Sequence, residues 1–82
     1  SVIFPHAVIE PNARIGNDCI ICANATVNHD AIIHDDCLIY SNTVIRPNAI
    51  IHELTRIGSN CTITFGKEIK EGSDIKDGEV VI

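Results

Sequence analysis

Positive charge is scarce in this sequence. Six Lys and Arg residues stand against eleven Asp and Glu, a formal net charge of −5. A surface of that sign gives no electrostatic reason to expect nucleic acid or an anionic membrane as partner. Long apolar runs are missing as well, and none approaches the roughly 20 residues that a bilayer-spanning helix needs. At 82 residues the chain is at most one small domain with a modest core. Cysteine is confined to Cys19, Cys22, Cys37 and Cys61. Cys19-Ile20-Ile21-Cys22 has the C-x-x-C spacing of zinc or redox sites. A six-residue periodicity instead assigns three of the four, Cys19, Cys37 and Cys61, to a column of small residues. They are expected to be reduced, buried, small apolar fillers, which favours an intracellular, cytoplasmic setting.

Helical periodicity is also absent, because apolar residues do not recur at spacings of three and four. The recurring interval is six. Ile3, Ile9, Ile15, Ile21 and Val27 begin a series that continues unbroken through Ile33, Ile39, Ile45, Ile51, Ile57, Ile63, Ile69, Ile75 and Val81. Four residues after these aliphatics stand small residues: Ala7, Ala13, Cys19, Ala25, Ala31, Cys37, Thr43, Ala49, Thr55, Cys61 and Ser73, with Lys67 and Glu79 departing. Three residues after them come Asn12, Asp18, Asn24, Asp30, Asp36, Asn42, Asn48, Asn60, Gly66, Gly72 and Gly78. Asn, Asp and Gly tolerate left-handed backbone angles. Each hexad therefore reads as a short β-branched strand followed by a tight corner.

A chain that turns every six residues closes a triangle in 18. Stacked triangles place residues i and i+18 in register as parallel strands, roughly 4.8 Å apart. The expected fold is all-β: a single-stranded parallel β-helix of about four and a half coils over residues 1–82. The aliphatic and small columns fill its interior, with Cys19 and Cys37 stacked one coil apart. Both ends stop mid-pattern, and solenoids need a polar cap or partner at each end. The 82 residues are therefore expected to be a fragment of a longer chain. Side chains just before each inward aliphatic point outward; in the middle coils they are Ile20, Ile32, Leu38, Val44 and Ile50. An apolar outer wall implies a protein partner, and a three-sided prism packs naturally about a threefold axis, so a homotrimer is expected.

The hexad rhythm resembles that of the hexapeptide acyltransferases. Residues 9–82 more narrowly resemble the C-terminal β-helix of the sialic-acid O-acetyltransferase and the bacterial amino-sugar N-acetyltransferases. Ala25-Thr26-Val27-Asn28-His29-Asp30 and Ile39-Tyr40-Ser41-Asn42-Thr43 carry that likeness. In that family a His followed by Glu or Asp sits at this point in the β-helix. The resemblance implies a left-handed winding, acetyl-coenzyme A as donor with no metal, and a sugar or nucleotide-sugar as acceptor. It further implies a trimer with the site between subunits, an N-terminal Rossmann-like domain that holds the nucleotide-sugar, and a C-terminal tail that helps bind the coenzyme.

Acetyl transfer to an amine or hydroxyl needs a base, and an imidazole, with an ordinary pKa of about 6.5, suits that role near neutral pH. His29 is the candidate base, and Asp30 could fix its tautomer and stabilise the imidazolium. The resemblance places Asn42 and Asn60 against the coenzyme, with Asn42 at the position of a family Gly whose N–H stabilises the oxyanion. The chain departs from the family pattern at His34 and Asn42, where Gly is common, and at Leu38, where a second His is frequent. Two other readings are open. One is a purely structural trimerising β-helix. The other is zinc: His29 and His34 are five apart, and His34 and His52 are one coil apart. That arrangement resembles the γ-class carbonic anhydrases, although a third ligand is not evident.

Overall fold

The computed structural model describes residues 1–82. Its regular structure is entirely β, in fourteen strands of two residues. They form three faces. The first holds β1 (Val2–Ile3), β4 (Ile20–Ile21), β7 (Leu38–Ile39), β10 (Arg56–Ile57) and β13 (Asp74–Ile75). The second holds β2 (Val8–Ile9), β5 (Thr26–Val27), β8 (Val44–Ile45), β11 (Thr62–Ile63) and β14 (Val80–Val81). The third holds β3 (Arg14–Ile15), β6 (Ile32–Ile33), β9 (Ile50–Ile51) and β12 (Glu68–Ile69). Every pairing is parallel and joins residues one coil apart, such as Val2 with Ile20 and Ile33 with Ile51. The molecule is the expected parallel β-helix, 25 × 20 × 20 Å. No helix is long and apolar enough to cross a membrane.

The second residue of each strand points inward. Ile21, Val27, Ile33, Ile39, Ile45, Ile51, Ile57 and Ile63 are buried almost completely. Burial of each side chain contributes about 1.5–3 kcal/mol, and the parallel register repeats that gain along the axis. Cys19, Cys37 and Cys61 are free thiols buried in the same core, whereas Cys22 is free and only half-buried. Cys19 and Cys22 thus occupy different environments, and their C-x-x-C spacing follows from the hexad.

The small column does more than fill space. Its hydroxyls and thiols donate to backbone carbonyls 15 residues further on: Cys19 Sγ to His34 O at 3.0 Å, Cys37 Sγ to His52 O at 3.1 Å, Thr43 Oγ1 to Gly58 O at 2.6 Å, Thr55 Oγ1 to Lys70 O at 3.1 Å and Cys61 Sγ to Lys76 O at 3.0 Å. The buried cysteines are therefore hydrogen-bonding groups as well as the apolar fillers expected of them. A polar hydrogen at the corner of one coil satisfies a carbonyl at the corner of the next.

Each corner contains one residue with positive φ. Asn, Asp and Gly supply most of them, but His6 (φ 66°) and Leu54 (φ 61°) do so as well. The residue just before each of these contributes no N–H to the coil-to-coil ladder. All three prolines, Pro5, Pro11 and Pro47, stand at that position, where a missing N–H costs no ladder bond. Two further amides of this kind are capped by carboxylates one coil on. Asn17 N–H donates to Asp35 Oδ1 at 2.8 Å, and Ser59 N–H to Asp77 Oδ1 at 2.9 Å. Each capping Asp folds over a glycine, Gly16 or Gly58. A Cβ there would come within 2.8 Å of the Asp35 amide nitrogen and 2.7 Å of that of Asp77, respectively.

Candidate active site

His29 and Asp30 lie at the corner joining β5 to β6, on the edge between the second and third faces. Asp30 occupies the left-handed position, with φ 63°. That turn brings its carboxylate back to its neighbour, so that His29 Nδ1 lies 2.9 Å from Asp30 Oδ2. With Nδ1–H donating to the carboxylate, Nε2 keeps its lone pair and meets no other group of the chain. The side chains are 53% and 48% exposed, so the pair is open to a ligand. The His29 backbone is pinned from below, where its N–H donates to Glu10 Oε1 at 3.0 Å. Pro11 and Pro47 stand one coil below and above His29, and Asp30 N–H donates to Pro11 O.

Beside the pair is a shallow, open depression lined by Asn12, Ala13, Arg14, Asp30 and Ile32. Arg14 and Ile32 are register partners on the third face. Glu10 and Arg14 were not legible as site residues. Their only signal is that they fall about one coil below His29 and Ile32, which carries meaning once the 18-residue register is known.

Asn42 and Asn60 lie together on another edge, between the first and second faces, one coil apart. A single chain therefore brings His29 to Asp30 and Asn42 to Asn60, but not one pair to the other. The backbone amides of the asparagines are already engaged: Asn42 N–H donates to Ala23 O at 3.2 Å and Asn60 N–H to Ser41 O at 3.0 Å. The neighbouring Ser41 N–H makes no hydrogen bond within the chain. It is a free donor where the family resemblance placed the N–H of residue 42. Close to this edge the Arg56 guanidinium covers the Tyr40 ring, 4.8 Å from its centroid, and pairs with Asp74 at 3.0 Å. Arg56, with help from Lys76, holds the Asp74 carboxyl below its usual range.

The third edge carries His34 and His52. Their rings stack with centroids 5.1 Å apart and planes 5° from parallel, as their one-coil spacing predicts. His52 Nε2 also meets Glu68 Oε2 at 2.6 Å. His29 is on a different edge, so one chain does not unite the three histidines. No group of three or more His, Cys, Asp or Glu side chains is arranged to hold a metal ion.

The coil geometry and the hexad pattern define a hexapeptide-repeat solenoid. Residues 1–29 and 30–64 match the family described as bacterial transferase hexapeptide (six repeats), and the chain belongs to that family. No curated protein matches the chain. Among solved structures it is similar to the acetyltransferase domain of PglB from Neisseria gonorrhoeae FA1090. That match has 22% identity and a TM-score of 0.40, covering 98% of this chain and 48% of the other. The chain thus spans about half the length of that domain.

Proposed function

We propose that this chain is the transferase module of an acetyltransferase that moves an acetyl group from acetyl-coenzyme A to an amine or hydroxyl of a sugar or nucleotide-sugar. His29 is the general base and Asp30 its orienting carboxylate. The observation that carries this reading is the 2.9 Å contact between His29 Nδ1 and Asp30 Oδ2 at an exposed corner, in a chain of the hexapeptide transferase family.

Acetyl-coenzyme A, when bound, supplies the acetyl thioester. His29 Nε2 takes the proton from the acceptor N–H or O–H as that atom attacks the thioester carbonyl. Asp30 keeps the imidazole in the required tautomer and stabilises the imidazolium. The proton then passes from His29 to the departing thiolate. The unpaired Ser41 N–H is the oxyanion donor in this reading, and the Asn42 and Asn60 side chains line the coenzyme's path. Because these groups lie on a different edge from His29, the reading requires the edges of two copies to meet. The outward Ile20, Leu38 and Ile50 suit a homotrimer in which they do.

The test is release of free coenzyme A thiol from acetyl-coenzyme A with an amino-sugar acceptor, using the full-length protein. His29→Ala should lower the acceptor-dependent rate about 10²–10⁴-fold and leave the folded mass unchanged. Full activity in that variant would sink the general-base assignment.

A further inference from the structure

The depression beside His29 contains two opposite charges that do not neutralise each other. Asp30 and Arg14 both line it, together with Asn12, Ala13 and Ile32. Arg14 takes part in no salt bridge: Asp74 is paired with Arg56 and Lys76, and the remaining carboxylate contacts are those of Asp30 with the His29 ring and Glu68 with the His52 ring. Its guanidinium donates no hydrogen bond within the chain, and the Asn12 side-chain amide makes none either. Asp30 commits Oδ2 to His29 and leaves Oδ1 without a partner. Ile32, stacked over Arg14 in the parallel register, supplies an apolar wall.

Separated charges across one small concavity match a dipolar ligand better than a neutral one. A guanidinium presents its donors as a planar fork suited to the oxygens of phosphate or carboxylate. Resting on the transferase reading for the identity of the ligand, we infer that this depression seats the acceptor and that Arg14 selects acceptors bearing an anionic oxygen group. The acceptor's amine or hydroxyl faces His29 and Asp30. Its sugar ring lies on Ile32, and its phosphate or carboxylate meets Arg14 and the Asn12 amide. Arg14 is a specificity residue in this arrangement, remote from the transferred proton.

The test is a binding titration of the full-length protein without acetyl-coenzyme A, so that it stands apart from whether acetyl transfer occurs. Backbone amide NMR shifts are followed with glucosamine, glucosamine 1-phosphate, inorganic phosphate and acetate. The sugar phosphate is expected to shift amides in 12–15 and 30–33 and to bind at least about tenfold more tightly than glucosamine. Phosphate and acetate alone, compared at equal concentration, show which oxygen group the site prefers. Arg14→Gln should abolish the preference for the sugar phosphate while weak glucosamine binding and the circular dichroism spectrum stay unchanged. Equal binding of both sugars, or a preference that survives Arg14→Gln, overturns the inference. So does a drop in oligomeric mass in Arg14→Gln with no change in ligand binding, since Arg14 would then be an inter-subunit contact. Loss of acetyl transfer in His29→Ala with no anion preference would retain the transferase reading and discard this one.

Discussion

Thr43 Oγ1 lies 2.6 Å from the carbonyl oxygen of Gly58 and accepts in turn from the Cys61 N–H at 3.2 Å. The hydroxyl is fully buried and satisfied as both donor and acceptor. Thr43→Val preserves shape but leaves the Gly58 carbonyl and the Cys61 amide without partners. The expected cost is about 1–3 kcal/mol, read as a lower urea midpoint with an unchanged m-value. Thr43→Ser should recover most of it. An unchanged midpoint in Thr43→Val would show that the hydroxyl is dispensable.

Gly58 is buried and supports the Asp77 cap over the Ser59 amide. In Gly58→Ala the new Cβ would meet the backbone nitrogen of Asp77 at 2.7 Å, and a backbone cannot swing aside as a long side chain can. The expected loss is about 1–3 kcal/mol, in the range of overpacked core sites. Thermal unfolding of the two proteins side by side checks it, and equal midpoints would contradict the close approach.

For the candidate site, His29→Ala should lower acetyl transfer about 10²–10⁴-fold, the usual contribution of a positioned general base. Asp30→Asn is the more informative partner. Asn accepts the left-handed backbone at φ 63°, so the corner survives while the carboxylate charge is lost. Its rate should fall less than that of His29→Ala, and its stability should stay close to the parent's. A rate in Asp30→Asn equal to the parent's would remove Asp30 from the mechanism.

Burial pushes the Cys37 thiol up to about 11 from an ordinary 9.0, with a hydrogen bond from the Thr55 backbone acting the other way. A thiol whose pKa is raised on folding favours the native state while protonated. That contribution is complete below about pH 9 and is lost as pH climbs toward 11. The urea midpoint should therefore fall across that interval. Cys37→Ala, which puts the residue of Ala31 and Ala49 into the same column, should flatten the fall. In the folded protein at pH 8, iodoacetamide should label Cys22 well before Cys37; equal labelling would contradict the burial of Cys37.

Much of this architecture is written in the hexad. Fourteen aliphatics in one phase force the strand, the corner and the coil, and the small column follows from the space that remains. Leu54 and His6 were not legible as left-handed corners, because residue type argues against that backbone while position demands it. Position wins, since a single corner out of phase would misplace every later strand. The site was legible only locally. His29 and Asp30 are adjacent in sequence, and their contact needs only a turn. The distribution of His29, Asn42 and His34 over three edges depends on counting around the triangle, and the free Ser41 amide depends on knowing which N–H groups the ladder omits.

Leu54 shows the cost of that positional rule. It sits at φ 61° with 58% of its surface exposed, so it gains little burial to offset a left-handed backbone. Leu54→Asn should raise stability by about 1 kcal/mol. A rise in the urea midpoint is the expected result. A fall would mean that Leu54 is covered in the assembled protein.

The uninterrupted pairing of each residue with the one 18 positions on makes the composition of every edge a matter of modular arithmetic. A whole-coil insertion would add a storey and leave each vertical file of side chains intact. Adding a single hexad between Asp30 and Asn42 would do something else. It would rotate all later residues by one-third of a circuit and set Asn42 directly above Asp30, rewriting the neighbourhood of the histidine without changing the identity of any original residue.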